Sequence, residues 1–217
     1  VSPKLAAFSS EIRMEPRVCA RVDAVFAARD SLDLTSEQAR VLDLYHRMFV
    51  RAGAQLSESD KSRLAEIMER LATLGTAFGQ NLLADERDWF MELREDDLAG
   101  LPRDVIASAR AAAKEREKAG YVITLSRSLI VPFLQFSTRR DLRERAFRAW
   151  AARGENGGET DNRAIVAETL ALREERARLL GYPDFASFKL DKEMAKTPDA
   201  VRDLLTRVWE PAKAAAT

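Results

Sequence analysis

The sequence predicts a mainly α-helical fold, a multi-helix lobe with at most a small two-stranded sheet. Three observations support this prediction. The 217 residues include only nine Gly and seven Pro, so residues that break helices are few. The chain is rich in Ala, and aromatic residues make up only 7% of it. Apolar residues also recur at helical spacing through most of the sequence.

Composition excludes several classes of protein. Basic and acidic residues number 35 each, so the formal net charge of zero provides no general attraction to nucleic acid. The longest apolar run, residues 129–134, contains Pro132 and is too short to span a membrane. One Cys excludes an internal disulfide framework, and no signal peptide is visible. We therefore expect no nucleic-acid or membrane partner and a cytoplasmic location, with the periplasm as the alternative.

Helix-start signals divide the first part of the chain. Pro3 and Pro16 suit first-turn positions and predict two short helices. Thr35, followed three residues later by Gln38, matches a capping box and predicts the start of a third helix. The apolar face of that helix comprises Leu42, Tyr45, Met48 and Phe49.

The longest predicted element follows Ser57. This residue, with Asp60 three positions later, predicts the start of a helix over residues 58–84. Its length would be about 40 Å at 1.5 Å per residue, which is enough to span a domain. Its apolar stripe comprises Leu64, Ile67, Met68, Leu71, Leu74, Phe78 and Leu82.

Two short segments are predicted to be strands. Residues 88–93 interrupt the helical period, and residues 121–125 are rich in β-branched and aromatic side chains. Between them, a turn at 97–102 leads into a predicted helix over residues 103–118, which ends at Gly120. The two strands flank this helix and can pair as a small sheet.

Helices are predicted again from Thr138 onwards. The polar, Gly-containing stretch at 153–162 is the one linker signal, and a helix over 163–180 follows it, ending at Gly181. After a further short helix, Pro198 at a first helical position predicts the last one. The apolar residues of that last helix are Val201, Leu204, Leu205, Val208 and Trp209.

We expect residues 1–217 to form a single helical lobe, with the polar loop at 153–162 as the alternative internal boundary. The chain opens at Val1 without a methionine and stops at Thr217 inside a helix-favouring run that lacks a Gly or Asn cap. These ends predict a fragment of a larger protein.

His46 and Cys19 are the first candidates for chemistry. His46 follows Asp43 by three residues on a predicted helix, which would allow an Asp–His hydrogen bond. A structural histidine is favoured over a metal ligand or general base, because a zinc site needs several such ligands and the chain has one His. Cys19 could act as a nucleophile with His46 as base, but it shares an apolar face with Val22 and Phe26, which favours burial.

The polar loop offers oxygen atoms that could bind calcium. These residues are Glu155, Asn156, Glu159, Asp161 and Asn162. Their spacing does not match the EF-hand pattern, so a solvated loop with a helix N-cap at Asp161 or Asn162 is favoured. The sequence also lacks a Gly-X-Ser-X-Gly elbow, a phosphate-binding glycine loop and a dinucleotide fingerprint.

A basic helix follows Thr138. Its arginines are Arg139, Arg140, Arg143, Arg145, Arg148 and Arg153. Asp141 and Glu144 interrupt the series, which favours a salt-bridged surface. The aromatic residues Phe147 and Trp150 fall at core-like spacing. The alternative is the wall of a groove that accepts anionic groups, including a peptide carboxylate.

Several segments in order resemble one known family. They are Phe-Val-Arg-Ala-Gly-Ala-Gln-Leu-Ser at 49–57, Thr-Ala-Phe-Gly-Gln-Asn at 76–81, Leu-Ala-Gly-Leu-Pro at 98–102, Tyr-Val-Ile-Thr-Leu at 121–125, Arg143-Glu144, Asp-Asn-Arg at 161–163, Leu-Leu-Gly-Tyr at 179–182 and Met-Ala-Lys-Thr-Pro at 194–198. This order resembles the peptidyl-dipeptidase Dcp branch of the thimet oligopeptidase family of zinc metallopeptidases. The loop at 154–162 and the segment at 194–198 favour Dcp over oligopeptidase A.

The resemblance implies a largely helical protein with two lobes around a deep channel that admits only short peptides. This chain would be a neurolysin-like N-terminal region, forming the channel but not the catalytic centre. The family's His-Glu-X-X-His motif and downstream Glu are absent from this sequence, so no catalytic, cofactor-binding or metal-binding residue is assigned in it. Zinc would belong to the parent enzyme, and this chain would bind none.

The resemblance thus predicts a portion of a zinc metallopeptidase that hydrolyses short peptides and releases C-terminal dipeptides. Alone, this portion would be inactive, and its partners would be short peptides in the channel and the missing catalytic lobe. The alternative is a free-standing helical scaffold or protein-interaction module. Apolar helix stripes fit both.

Overall fold

The computed structural model describes residue 12 and residues 15–216. The helix predicted to begin at Pro3 lies outside these residues, apart from Ile12. Helices make up 71% of the structure, and its sheet has two antiparallel strands. The prediction of a mainly α-helical fold with a small two-stranded sheet is confirmed.

The described residues form the following helices and strands, in chain order. The helices are α1 Pro16–Ala27, α2 Ser36–Arg51, α3 Glu58–Asp88, α4 Arg103–Glu115, α5 Arg127–Phe136, α6 Arg140–Ala151, α7 Arg163–Leu179, α8 Phe185–Leu190 and α9 Pro198–Ala216. The strands are β1 Phe90–Leu93 and β2 Tyr121–Thr124, and two short 3-10 turns span Arg29–Ser31 and Glu95–Leu98.

The chain divides into two compact units. Of the described residues, those up to Leu71 and from Leu170 onwards form one unit, and residues 72–169 form the other. The polar loop at 153–162 lies inside the second unit and not at its edge. Whether residues 1–217 act together as one lobe of a larger protein stays a prediction.

The second unit has its core around the sheet. Phe90 of β1 pairs with Thr124 of β2, and Leu93 pairs with Tyr121, so the strands run antiparallel in full register. All four residues of β2 are buried, which explains its continuous run of β-branched and aromatic residues. Helix α4 faces the core with residues four apart, a spacing that places them on one side of a helix. These buried residues are Val105, Ala109 and Ala113.

Helix α5 was not predicted from the sequence, because after the second strand helices were expected only from Thr138 onwards. Pro132 lies inside α5, where a proline costs about 3 kcal/mol of helix stability. Leu129, Ile130 and Phe133 are buried in the same helix. Each of these side chains contributes about 1.5–3 kcal/mol on burial, so together they outweigh the proline.

Local capping signals in the first unit act as predicted. The backbone N–H of Gln38 donates to Thr35 Oγ1 at 3.2 Å, and Thr35 N donates to Gln38 Oε1 at 2.9 Å, which completes the capping box of α2. Gly181 ends the run of α7 with φ of 81°, and the N–H of Tyr182 donates to Ala177 O at 2.9 Å. The predicted starts and ends of these helices are confirmed within one or two residues.

Candidate functional site

His46 is a structural histidine in the first unit. Its ring stacks on Phe26 of α1, with the ring centroids 3.7 Å apart and the planes 3° from parallel. Its Nε2 lies 3.2 Å from Asp23 Oδ1. The prediction that Asp43 is the partner of His46 is wrong, because Asp43 instead accepts hydrogen bonds from two arginines on α2. These are Arg40 at 2.9 Å and Arg47 at 3.0 Å.

Cys19 shares the same carboxylate. Its side chain is 4% exposed, and its thiol donates weakly to Asp23 Oδ2 at 3.7 Å. Burial and then the charge of Asp23 raise the pKa of the Cys19 thiol. A nucleophilic cysteine needs a lowered pKa, so this surrounding opposes catalysis and supports the structural interpretation. Gln55 also donates to Asp23 Oδ1, at 3.2 Å, which makes Asp23 a local hydrogen-bonding centre.

The polar loop is held by Asp85 of α3. Asp85 Oδ2 accepts from Gly154 N at 2.7 Å, and Oδ1 accepts from Asn156 Nδ2 at 2.8 Å and from the hydroxyl of Thr160. Asn162 is buried and donates from Nδ2 to Phe78 O at 3.2 Å. These oxygens and amides therefore connect the loop to α3, and they are not left open towards a cation.

Asp161 has its own partners within the loop. Its carboxylate accepts from the Arg163 side chain at 2.7 Å and from Gly157 N at 2.9 Å. The hydrogen bond from Arg163 holds the pKa of Asp161 well below its usual range. Asp161 also accepts from Arg163 N at 2.9 Å, and the first turn of α7 begins there.

These residues do not fit zinc. A catalytic zinc site needs three protein ligands around one point. Within residues 12 and 15–216, no group of three His, Cys, Asp or Glu side chains is placed to hold a metal ion. His46 is the one histidine of the sequence, and its Nε2 already faces Asp23.

Three of the six arginines around α6 form the predicted salt-bridged surface. Arg139 pairs with Asp141 at 2.7 Å and with the buried Asp97. The remaining two pairs are Arg148 with Glu144 at 2.7 Å and Arg153 with Glu86. The pairs of Arg139 with Asp97 and of Arg153 with Glu86 connect the two ends of α6 to neighbouring elements of the second unit, whereas the pair of Arg148 with Glu144 lies within α6.

Arg140 and Arg143 differ from these three. Together with Leu134, Glu144 and Phe147 they line an open groove of about 470 Å³ between α5 and α6. Their guanidinium groups form no hydrogen bond or ion pair with any other described residue. The groove lining therefore combines two guanidinium groups that have no partner among the described residues with the apolar side chains of Leu134 and Phe147.

The apolar part of this groove was not predicted. Phe147 was expected at a core-like position, but its side chain is 55% exposed. Trp150 does pack partly against the core, as its spacing predicted, and Leu142 packs there too. The signal for Phe147 was present in the sequence, because it lies four residues after Arg143 and hence on the same helix face.

Comparison with known proteins gives one consistent result. A model for peptidase family M3 matches residues 133–216. The dipeptidyl carboxypeptidase of Salmonella typhimurium LT2 is 38% identical over 214 residues, which is 98% of this chain and 32% of that protein. Oligopeptidase A of Escherichia coli K12 is 34% identical over 185 residues, which is 83% of this chain and 27% of that protein.

A plant relative shows the same extent of match. The probable cytosolic oligopeptidase A of Arabidopsis thaliana is 27% identical over 224 residues, covering 98% of this chain and 32% of the relative. The chain thus spans about a third of the length of these curated relatives. Among the helices that the structure describes, none is long and apolar enough to cross a membrane.

The resemblance to the Dcp and thimet oligopeptidase group is confirmed by these matches, which extend through both compact units. The family model covers the carboxyl-terminal part of α5 and all of α6 to α9, and so includes the groove with Arg140 and Arg143. By its sequence, this chain belongs to peptidase family M3.

Proposed function

We propose that this chain forms the non-catalytic, channel-forming part of a zinc metallopeptidase that hydrolyses short peptides and releases dipeptides from their C-termini. The observation that carries the proposal is the 38% identity to a dipeptidyl carboxypeptidase along 98% of the chain. Peptidases of family M3 are zinc-dependent, and among the described residues no three His, Cys, Asp or Glu side chains are placed to hold a metal ion. The proposed role of the chain is to contact and select peptides, while other parts of the parent enzyme cleave the peptide bond.

The groove between α5 and α6 supports a role in peptide contact. Helix α5 is anchored by its buried apolar residues, and α6 is anchored by the buried Ala146 and by the ion pair of Arg139 with Asp97. Side chains on two anchored helices hold their positions better than side chains on loops. Arg143 and Phe147 are thus held in position by an anchored helix, as the wall of a channel for short peptides requires.

Peptide hydrolysis tests the proposal directly. The 217-residue chain and the complete protein encoded by its gene are incubated with a peptide of five or six residues that has a free C-terminus. Dipeptide release is followed by mass spectrometry with and without a zinc chelator. We expect release by the complete protein, loss of release with the chelator, and none by the chain alone. A complete protein without peptidase activity would contradict the proposal and favour the scaffold function.

Zinc binding by the chain itself is a separate prediction. Zinc that binds only the folded state raises the melting temperature, so a chain without a ligand set should show no rise. We expect the same melting temperature with and without added zinc, measured by circular dichroism. His46→Gln is the matched control, because it removes the one imidazole. A zinc-dependent rise of several degrees that this variant abolishes would overturn the prediction.

A further inference from the structure

The groove lined by Leu134, Arg140, Arg143, Glu144 and Phe147 contains charge that the protein leaves unbalanced. Glu144 is the acidic residue in its lining, and it accepts two hydrogen bonds from Arg148, at 2.7 and 2.9 Å. Both hydrogen bonds are to Glu144 Oε1, and neither groove arginine forms a hydrogen bond or ion pair with Glu144. Asp141 is engaged in the same way by Arg139.

The position of these arginines on their helix adds to the imbalance. Arg140 is the first residue of α6, and Arg143 lies one turn later. The amino-terminal end of a helix carries a partial positive charge, so cations there are unfavourable unless an anion compensates them. Arg139 lies at the same end but has Asp97 and Asp141 as partners. The two groove arginines have no such compensation from the described residues.

The shape of the groove indicates what kind of anion completes it. The groove is open to solvent, so a peptide can reach the side chains that line it. Leu134 and the exposed ring of Phe147 offer apolar contact beside the guanidinium groups. A guanidinium fork matches the two oxygens of a carboxylate. A passing peptide meets both requirements when an acidic side chain stands next to an apolar one.

We propose that this groove binds the carboxylate of an acidic side chain in a peptide, with Arg140 and Arg143 as its partners and Leu134 and Phe147 holding the neighbouring apolar side chain. This inference rests on the proposed function, since it takes a peptide as the ligand. It adds a preference for acidic peptides and assigns that preference to two residues of α6.

Binding to the 217-residue chain tests this inference without any need for hydrolysis. Three dye-labelled peptides are compared by fluorescence anisotropy. They are Gly-Leu-Glu-Leu-Gly with an amidated C-terminus, the same peptide with Gln in place of Glu, and the Gln peptide with a free C-terminal carboxylate. We expect the Glu peptide to bind up to about fivefold more tightly than the amidated Gln peptide, a factor at the upper end for an exposed ion pair. The advantage should shrink as salt is raised.

Matched variants identify the residues. Arg140→Gln and Arg143→Gln should each remove most of the advantage of the Glu peptide. Arg145→Gln is the control, because Arg145 lies on the same helix, changes the charge equally and does not line the groove. Arg140 and Arg145 are exposed, Arg143 is half-buried, and none of them belongs to the buried core of α6, so circular dichroism should show unchanged folding.

Each contrary outcome has a definite meaning. Equal affinities for the Glu and amidated Gln peptides would overturn the inference while leaving the proposed peptidase function standing. An equal loss with Arg145→Gln would overturn it in favour of non-specific attraction. Tight binding of the free-carboxylate Gln peptide alone would overturn the assignment to a side chain and move it to the peptide terminus. An inactive complete protein would contradict the proposed function but leave the binding result intact.

Discussion

Asp97 is a buried carboxylate on which two parts of the second unit depend. It is 5% exposed, accepts from Arg94 N at 2.9 Å and pairs with Arg139 at the start of α6. Removing it leaves a backbone donor unsatisfied and one guanidinium contact unmade. We expect Asp97→Ala to lower the free energy of unfolding by about 2 kcal/mol, as measured by urea denaturation.

The control for Asp97 is its neighbour in sequence. Asp96 is exposed, so Asp96→Ala should change the free energy of unfolding by less than about 0.5 kcal/mol. Equal effects of the two substitutions would show that Asp97 has no structural role beyond its charge.

Cys19 is a residue whose pKa changes when the chain folds. Burial raises its pKa, so the folded chain favours the neutral thiol. This stabilisation is fully present below the pKa of the unfolded thiol and is lost as pH rises through the folded value. We expect the alkylation rate by iodoacetamide to rise with pH around a midpoint higher in the native chain than in urea. If the pH midpoint of alkylation in the native chain is at or below the midpoint in urea, the pKa of Cys19 is not raised by folding.

At the scale of elements, substitution by alanine is expected to have opposite effects on stability at two glycines. Gly100, in the turn before α4, has φ of 86°, and a Cβ there would lie 2.4 Å from Phe136 O. Gly75 lies inside α3, where a Cβ would meet no atom within 4 Å. We expect Gly100→Ala to destabilise the chain by about 2 kcal/mol or more, and Gly75→Ala to stabilise it by about 1 kcal/mol.

Thermal and urea unfolding of these two variants provide the measurement. The substitutions are chemically identical, so each serves as the control for the other. Destabilisation by Gly75→Ala would mean that the exposed side of α3 packs against something at that position. An unchanged stability of the Gly100→Ala variant would mean that the backbone of the turn can move to make room for a Cβ.

At the scale of the whole molecule, helix α9 presents an apolar face. Leu204, Leu205, Val208 and Trp209 are each more than half exposed. A contiguous apolar face of this kind promotes association or dye binding. We expect the isolated chain to bind a hydrophobic dye or to self-associate, and the double substitution of Leu205→Glu with Trp209→Glu to reduce both effects.

An isolated exposed leucine supplies the control for this prediction. Leu83 of α3 is 60% exposed, so Leu83→Glu makes a similar change away from α9 and should have little effect. Dye fluorescence and light scattering are the readouts. A monodisperse monomer that binds no dye would count against a role for the α9 face.

The sequence alone was enough for features that depend on neighbouring residues. The capping box at Thr35, the end of α7 before Gly181 and the start of α9 at Pro198 all matched the structure. These signals act within one turn of backbone, so no distant residue can change them greatly. The two strands and the family resemblance also followed from the sequence, because both rest on short segments in a fixed order.

The tertiary structure decided the features that depend on distant residues. Helix α5 forms despite Pro132 because its apolar face is buried. His46 pairs with Asp23 of another helix, and not with the nearby Asp43. Arg139 has buried Asp97 as partner, while Arg140 and Arg143 have no partner within residues 15–216, although all three looked alike in the sequence. Such differences come from burial and charge neutralisation across the fold, which local spacing does not contain.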